Sequence, residues 1–324
     1  MPTTKSIVLL RRWRPARGGN RTRGEGVVSC AGRPAGTDFP TETPMANSIL
    51  VLGATGTIGQ LVVSELVAKG ETVKAAALEG QAHPDAEVLR FDYRDPVSIA
   101  PLFEGVNRVF VLMPSAPLDV IAALMPVMRH VVDRKVKAVL LSTIAADVSE
   151  DNPYRRLELV LENSGLPFVI LRANWFADNF RTIWKDAVRK GELALPTDEG
   201  LISFIDGRDV AAAAATALTT SDFDGQTLVL TGPAALPLSR AAEVMSHVTG
   251  RPVIFRPIAV ADYEARLAAD GLSEKLIAER IAEFDTIRDG KASIVSPAIE
   301  KMTGRPPRFF ETFAKDHATD FVGA

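Results

Sequence analysis

The sequence predicts an α/β protein built on a doubly wound parallel sheet, with helices covering both faces. Two observations lead to this prediction. From Ser48 onward, short runs of consecutive apolar residues alternate with longer amphipathic segments, and the connections between them are short. The first apolar run also leads directly into a cluster of three glycines and then an amphipathic segment. Fully apolar runs are typical of strands buried on both faces, which is the condition of a parallel sheet.

The first elements are a strand over residues 48–52, a glycine-rich turn over 53–59 and a helix that ends near Gly70. A glycine after the last apolar position is a common helix stop because it adopts positive φ without strain. The alternation then continues along the chain. Further strands are predicted over residues 72–78, 87–91, 108–113, 136–142 and 168–171, and further helices over 96–103, 118–132 and 155–164.

After the sixth strand the pattern becomes mixed. The alanine run over residues 211–215 predicts a helix capped by Asp209, and a further helix and a short strand are predicted over 239–248 and 252–255. We therefore expect one domain over residues 46–324. Within it, a smaller C-terminal substrate lobe is built from about 176–203 and 232–320.

Residues 1–45 differ in composition from the rest of the chain. They carry eight basic and three acidic side chains, are rich in glycine and proline, and show no sustained apolar periodicity. Such a segment is expected to be a disordered basic extension. A transit peptide or basic arm is one alternative, and translation starting at Met45 is the one we favour.

Composition excludes several function classes. The 37 Lys and Arg residues against 40 Asp and Glu give a net charge of −3, without the concentrated basic surface that nucleic-acid binding needs. No apolar run approaches the ~20 residues of a membrane span. A single cysteine and four scattered histidines predict no metal site. We expect a cytoplasmic protein, whose oligomeric state the sequence leaves open.

The glycine cluster predicts a dinucleotide site. Gly53 permits a tight turn, Gly56 lets the backbone approach a pyrophosphate, and Gly59 lets the helix pack closely on the sheet. The helix then points its free N–H groups at the phosphates.

Several segments together resemble one protein family. They are the Gly-x-x-Gly-x-x-Gly spacing at 53–59 and the stretches at 92–106, 164–176, 204–211, 230–233 and 303–313. Over roughly residues 46–318 the chain resembles the NmrA-like group of atypical short-chain dehydrogenases/reductases. That group includes type 2 quinone reductases and triphenylmethane reductase, and the last stretch also resembles the ergot-alkaloid reductases. The resemblance implies a Rossmann fold of the extended or atypical type and an NAD or NADP cofactor.

The glycine turn and the resemblance together give a set of candidate cofactor-binding residues. They are Gly53, Ala54, Thr55, Gly56, Thr57, Ile58, Gly59, Glu79, Asp92, Met113, Pro114, Ser142 and Asn174. Glu79 lies about where an NAD enzyme carries an acid for the ribose hydroxyls, and no Lys or Arg stands beside it or in the glycine turn. The sequence therefore favours NAD over NADP.

The catalytic residues depart from the family pattern. Short-chain reductases use Tyr-x-x-x-Lys, in which the lysine lowers the pKa of the proton-donating tyrosine. Here Tyr154 is followed four positions later by Glu158, which would raise the pKa of a nearby phenol. Tyr154, Ser142 and Thr143 remain the candidate catalytic residues.

A site with a cofactor cradle but no acid–base pair suits acceptors that take a hydride directly. We therefore predict an NAD(P)H-dependent reductase of quinone-like, iminium or other conjugated electrophiles. Its candidate substrate residues are Ser115, Trp175, Phe176 and Asn179. Two alternatives remain: a non-catalytic NAD(P)-sensing regulator that binds a protein partner, and a sugar-nucleotide or other acid–base enzyme.

Overall fold

Seven parallel strands form the central sheet of the computed structural model, which describes residues 47–80, 82–113 and 118–321. The strands of the whole structure are β1 Ser48–Leu52, β2 Val73–Ala77, β3 Glu87–Arg90, β4 Val106–Val111, β5 Lys137–Thr143, β6 Phe168–Ala173, β7 Glu192–Leu195, β8 Leu201–Ile202, β9 Gln226–Leu230, β10 Leu236–Pro237 and β11 Ile254–Pro257. The helices are α1 Thr57–Ala68, α2 Val120–Arg134, α3 Pro153–Glu162, α4 Lys185–Lys190, α5 Gly207–Thr219, α6 Leu238–Thr249, α7 Val260–Ala269, α8 Glu274–Arg288, α9 Ala298–Thr303, α10 Phe310–Asp316 and α11 Ala318–Phe321.

The strand order is β3-β2-β1-β4-β5-β6-β9, and every neighbouring pair is parallel. The order reverses between β1 and β4, and sheets of this kind bind ligands beyond the carboxyl ends of the strands at that point. The predicted doubly wound sheet is thus confirmed. All five residues of β1 are buried, as expected of a strand at the centre of a sheet covered on both faces.

Each face of the sheet has its own layer of helices. Helices α1, α5 and α9 pack on one face, while α2 and α3 pack on the other. The alanines of α5 are buried, and their small side chains let α5 lie close to α1. The cap of α5 is Asp206, whose carboxylate accepts a hydrogen bond from the Arg208 amide. The expectation that Asp209 caps this helix was therefore wrong, because Asp209 already lies in its first turn.

The predicted helix over 96–103 was also wrong. The segment forms two short 3₁₀ helices, Pro96–Ser98 and Ala100–Phe103. Pro101 has no N–H to donate in a continuous α-helix, and the Asp95 carboxylate caps the first short turn by accepting from the Val97 amide. The other predicted strands and helices of the sheet region are present, with ends that differ by a few residues.

A separate apolar cluster lies in the C-terminal part of the chain. Its buried residues come from segments 177–204 and 238–321, and a chain of aromatic contacts runs through it. The ring centroid of Phe180 lies 5.1 Å from that of Trp184 and 4.9 Å from that of Phe310. Two small two-stranded sheets, β10-β8 and β11-β7, belong to the same region. The predicted substrate lobe falls on these segments, and its role toward a substrate stays a prediction. The predicted extension over residues 1–45 lies outside the described residues.

Candidate functional site

The turn between β1 and α1 has backbone geometry that only small residues allow. Gly53 has a φ of +59°, and its carbonyl accepts a hydrogen bond of 2.9 Å from the Gly56 amide. A Cβ on Gly59 would lie 2.1 Å from the Gly53 carbonyl oxygen, so the close approach of α1 to the turn requires glycine there. Ala54, between them, is fully buried.

The start of α1 is open to an anion. Its N-cap residue is Gly56, no side chain caps its first amides, and its first turn carries no acidic residue. Uncapped N–H groups at a helix N-terminus attract a phosphate through hydrogen bonding and the helix dipole. Thr57 begins this helix and Ile58 follows it, with both side chains half-buried. A cofactor pyrophosphate fits this turn, because the three glycines carry no side chains that would block its approach to the amides of α1.

Tyr93 closes one side of the turn. Its hydroxyl donates a 2.9 Å hydrogen bond to the Leu112 carbonyl, and a Cβ on Gly53 would lie 3.0 Å from that hydroxyl oxygen. Burial raises the pKa of Tyr93, so the phenol stays neutral. The sequence did not predict that Tyr93 contacts the turn, because Tyr93 was noted there only as part of the stretch at 92–106.

The ends of β2 and β3 lie beside the turn. Glu79 is exposed just after β2, and a Cβ on the next residue, Gly80, would lie 3.5 Å from the Thr55 methyl group. Asp92 follows β3, and its carboxylate accepts a 2.9 Å hydrogen bond from the Arg94 amide. That bond lowers the pKa of Asp92. Thr55, Glu79 and Asp92 are thus placed at one end of the candidate cofactor site.

Ser142 and Glu158 belong to a buried ion-pair cluster. The Ser142 hydroxyl donates a 2.7 Å hydrogen bond to Glu158 Oε1, and Glu158 has no exposed surface. The Arg172 guanidinium donates to both carboxylate oxygens of Glu158, from Nε to Oε1 at 2.9 Å and from Nη2 to Oε2 at 2.7 Å. Arg155 Nη1 donates a further hydrogen bond to Oε2 at 3.0 Å. Burial alone would raise the pKa of Glu158, but these hydrogen bonds outweigh it and lower the pKa. Thr143, the last residue of β5, lies next to this cluster in the chain.

Tyr154 lies in the first turn of α3, just after the Asn152 cap. Burial raises the pKa of its phenol, and the charge of Glu283 adds to the effect while Arg280 opposes it. The expectation that Glu158 would act on this phenol was wrong in its cause, because the carboxylate of Glu158 is held by Ser142 and Arg172 instead. Arg280 does not offset the burial, so the pKa of the Tyr154 phenol stays above its ordinary value.

Asn174 connects the end of β6 to the C-terminal region. Its amide nitrogen donates to Ser203 Oγ at 2.7 Å and to the Ala292 carbonyl at 2.8 Å, and its oxygen accepts from the Trp175 amide at 2.9 Å. Through these hydrogen bonds the buried Asn174 side chain joins the end of β6 to the segments around Ser203 and Ala292. Met113 follows β4, half-buried against the core, whereas Pro114 and Ser115 lie outside the described residues.

The candidate substrate residues after β6 do not share one environment. Phe176 packs against the core of the sheet and pairs with Ile205, while the Asn179 backbone stabilises the turn that precedes α4. Trp175 instead stacks with Trp184 at 5.8 Å and lies 5.0 Å from Phe284, between ring centroids.

Helix α8 crosses this edge of the sheet and is held at both ends. Near its start, Lys275 forms an ion pair with Asp119, the N-cap of α2. Near its end, the Trp175 indole donates a 3.2 Å hydrogen bond to Thr286 Oγ1. Sequence reasoning had assigned no role to α8, because its weak apolar periodicity gives no sign of what it faces.

A second set of buried acids fixes the start of α5. Asp178 accepts a 2.9 Å hydrogen bond from the Gly207 amide, and Asp209 accepts one of 2.7 Å from the Arg308 amide while pairing with its guanidinium. Burial raises the pKa of both carboxyls. These contacts tie the C-terminal segment to the sheet. Within the described ranges, no group of three or more His, Cys, Asp and Glu side chains is placed to hold a metal ion.

Three comparisons place this arrangement among known proteins. Prestalk A differentiation protein A of Dictyostelium discoideum is 32% identical over 297 residues, covering 88% of this chain and 96% of the relative. The NAD(P)H azoreductase of Xenophilus azovorans is 32% identical over 292 residues, covering 85% and 100%. The NADPH complex of an Escherichia coli NADPH-dependent quinone oxidoreductase has the same fold, with a TM-score of 0.71 at 21% identity, over 84% of this chain and 98% of the other.

The family model of the NmrA-like family matches residues 45–304, which include the glycine turn, the Glu158 cluster and α8. The motifs quoted from the sequence lie within this range, except for the last stretch at 303–313, which extends beyond it. The chain belongs to the NmrA-like family.

Proposed function

We propose that this protein is an NAD(P)H-dependent reductase that transfers hydride directly to a conjugated electrophile. The observation that carries the proposal is the residue four positions after Tyr154. It is Glu158, and its carboxylate is held by Ser142 and Arg172 rather than placed to activate the phenol. A reductase without an activated acid suits acceptors that are already electrophilic.

The glycine turn would hold the dinucleotide. The uncapped amides at the start of α1 would bind the pyrophosphate, with Thr55, Glu79 and Asp92 toward its adenosine end. When bound, the reduced nicotinamide supplies the hydride. The chain itself would orient the acceptor and exclude water, and the contacts of Trp175 with Thr286 and Phe284 of α8 support a part for these residues in both tasks.

The choice between NAD and NADP remains open within this proposal. Glu79 favours NAD, since a carboxylate would repel a ribose 2′-phosphate. The relatives give this preference no support: the azoreductase is named for NAD(P)H, and the Escherichia coli quinone oxidoreductase was solved with NADPH. Dissociation constants for NADPH and NADH, measured on wild type and on Glu79→Gln, decide the matter. If Glu79 sets the preference, the substitution tightens NADPH binding, because the repulsion is lost, and weakens NADH binding, because the ribose hydroxyls lose a carboxylate acceptor.

The acceptor is a small conjugated molecule in this proposal, and the reaction is cytoplasmic. No described helix has the length and apolar character to cross a membrane. The relatives add azo compounds to the quinones, iminium ions and dyes that direct hydride transfer allows.

The first test uses the full chain stripped of nucleotide. Oxidation of NADH and of NADPH is followed by absorbance with a quinone, an azo dye, a cationic triphenylmethane dye and a cyclic iminium ion. We expect turnover with at least one acceptor. Tight nucleotide binding without oxidation across the panel would favour the sensing regulator, and no binding of either nucleotide would refute both.

Tyr154→Phe tests the absence of acid catalysis. We expect kcat to fall less than about tenfold, because a general acid contributes on the order of 10²–10⁴ and this phenol is not activated. The readout is kcat and KM for the best acceptor of the panel. Tyr263→Phe, which removes a phenol from α7 instead, is the matched control. Complete loss of activity in Tyr154→Phe alone would point to the acid–base class of enzyme.

A further inference from the structure

The start of α5 lies against the start of α1. Gly207, the first residue of α5, is buried, and a Cβ added to it would lie 2.8 Å from Ile58 Cδ1. Ile58 is the second residue of α1, so its amide belongs to the uncapped N–H groups that the glycine turn offers to a pyrophosphate. A shift of the α5 start would therefore displace Ile58 and the amides around it.

A buried carboxylate lies on the opposite side of Gly207. Asp178 Oδ2 accepts a 2.9 Å hydrogen bond from the Gly207 amide, and the same added Cβ would lie 2.8 Å from this oxygen. Gly207 is thus enclosed between the Ile58 side chain and the Asp178 carboxylate, with no room for a methyl group. The hydrogen bond from Gly207 to Asp178 keeps the start of α5 in contact with Ile58.

The segment after β6 brings Asp178 to this place. Phe176 and Ile205 form a parallel bridge, and the Ile205 amide donates a 2.9 Å hydrogen bond to the Trp175 carbonyl. Two residues further along both segments, Asp178 meets Gly207. The segment that carries the candidate substrate residues is therefore joined to the glycine turn through a continuous set of contacts.

Another residue already caps α5, so Asp178 is not needed for that purpose. The N-cap is Asp206, whose carboxylate accepts a 2.8 Å hydrogen bond from the Arg208 amide. The Asp178 side chain is only 6% exposed, and its ion-pair partner Arg181 lies 3.7 Å away and pairs more closely with Asp320, at 3.1 Å. A buried carboxylate with so distant a counter-charge adds little to stability. Its place is better explained by the contact that it maintains.

We propose that Asp178 is a positioning residue for the cofactor. By holding Gly207 against Ile58, it fixes the first amides of α1 in the arrangement that binds the pyrophosphate. Binding groups work when supporting contacts hold them within roughly 0.5 Å of the productive geometry, and Asp178 supplies such a contact. This inference rests on the cofactor site of the proposed function.

Two substitutions of Asp178 test the inference. Asp178→Ala removes the acceptor, whereas Asp178→Asn keeps an oxygen that accepts from the Gly207 amide. We expect the alanine variant to raise Kd for the preferred nucleotide about tenfold and the asparagine variant to change it less than about twofold, because only the first loses the hydrogen bond. Kd for adenosine, which lacks the pyrophosphate, should stay within about twofold in both. Titration calorimetry measures the nucleotide, and NMR titration measures adenosine.

Asp209→Ala is the matched control. Asp209 is also a buried acid in the first turn of α5, but its carboxylate accepts from the Arg308 amide instead of Gly207. We expect this variant to lower the melting temperature while Kd for the nucleotide stays within about twofold. A loss of nucleotide affinity equal to that of Asp178→Ala would overturn the inference, because any buried acid of α5 would then have the same effect.

Ile58→Val tests the same contact from the other side, and it decides the matter if Asp178→Ala does not fold. It removes only the Cδ1 atom that touches Gly207, so we expect Kd for the nucleotide to rise about threefold. Equal nucleotide affinity in wild type and Ile58→Val, or a parallel loss of adenosine affinity, contradicts the positioning role. A wild type that binds nucleotide with the expected pattern but reduces no acceptor supports the inference and refutes the reductase. A wild type that binds no nucleotide refutes both.

Discussion

At the scale of single residues, Glu158 decides how the chemistry of this site is understood. It lies four positions after Tyr154, where the Tyr-x-x-x-Lys pattern of short-chain reductases predicts a lysine, and the structure shows which groups surround its charge: two arginines and a serine hydroxyl. A buried carboxylate costs several kcal/mol of desolvation unless such partners offset it. The position that serves acid–base catalysis in other short-chain reductases therefore stabilises the fold here.

Glu158→Gln is expected to lower the free energy of unfolding by about 3 kcal/mol, since removing the buried partner leaves the Arg172 guanidinium paired only with the exposed carboxylate of Asp147. Glu162→Gln is the control, because Glu162 pairs with the same Arg155 at a 31% exposed position and is worth less than about 1 kcal/mol. Urea denaturation at pH 7 measures both. Equal losses in the two variants would contradict the buried-pair argument.

The same residue makes stability depend on pH in a defined direction. The folded-state pKa of Glu158 lies below the usual glutamate value of 4.5, so the folded protein binds fewer protons there than the unfolded chain. The stabilisation is therefore fully present above about pH 4.5 and is lost as the pH falls through the lower, folded-state pKa. Wild type and Glu158→Gln, denatured in urea at stepped pH, should converge in unfolding free energy at acid pH. A difference that grows on acidification would reverse the sign.

At the scale of elements, the turn from β1 to α1 combines two different requirements for glycine. Gly59 serves packing, because a side chain there would collide with the backbone of Gly53. Gly56 serves access to the α1 amides: its φ of −76° suits any residue, although a Cβ there would make a tight 3.2 Å contact with the Gly53 carbonyl oxygen. The order of the glycines in the sequence predicted these two separate roles, and the packing contact of Gly59 agrees with that prediction.

This difference predicts the behaviour of Gly56→Val. We expect the dissociation constant for the preferred nucleotide to rise at least about tenfold, because the side chain occupies the approach to the α1 amides. The melting temperature should fall modestly, because the 3.2 Å contact of a Cβ with the Gly53 carbonyl oxygen is tighter than an ordinary packing contact. Gly70→Ala is the control at the other end of α1: its φ of +79° costs stability of about 1 kcal/mol without touching the phosphate site. Calorimetric titration and thermal melts separate the two effects, and unchanged nucleotide affinity in Gly56→Val would argue against a pyrophosphate at this turn.

At the scale of the whole molecule, the C-terminal region is attached to the sheet by a few hydrogen bonds and ion pairs. Asn174 bonds to Ser203 and to the Ala292 carbonyl, Asp209 bonds to Arg308, and Lys275 pairs with Asp119. Through these contacts the segment that follows the sheet comes to lie over its carboxyl edge.

Asn174→Ala should therefore loosen that attachment before it affects the sheet. The substitution removes two donors and one acceptor from a buried place, which costs about 1–3 kcal/mol for each group left unsatisfied. Hydrogen exchange is expected to increase over residues 286–294 and to stay unchanged in β1 and β4. Asn163→Ala, at the exposed end of α3, should alter neither. Uniformly faster exchange throughout the sheet would show that Asn174 supports the whole fold instead.

Much of this molecule follows from local sequence. The alternation of apolar runs and amphipathic segments determined the parallel sheet, because burial on both faces demands it. Gly53 and Gly59 determined the turn, because the positive φ of Gly53 and the close backbone contact of Gly59 require glycine there. The presence of Glu158 four positions after Tyr154 was also visible in the sequence, and its reading as a departure from Tyr-x-x-x-Lys stays a prediction. The local pattern did not predict features that depend on backbone hydrogen bonding. These are the two 3₁₀ helices around Pro101 and the cap of α5, which is Asp206.

The tertiary structure alone decided which distant groups meet. Ser142, Glu158 and Arg172 lie on three different elements, and only the packing of α3 on β5 and β6 brings their charges together. Trp175 is separated from Thr286 by more than a hundred residues, yet the packing of α8 brings its indole N–H within hydrogen-bond distance of the Thr286 hydroxyl. Periodicity reports which face of an element is buried, whereas the partner of a buried charge depends on how elements pack, which is a property of the folded chain.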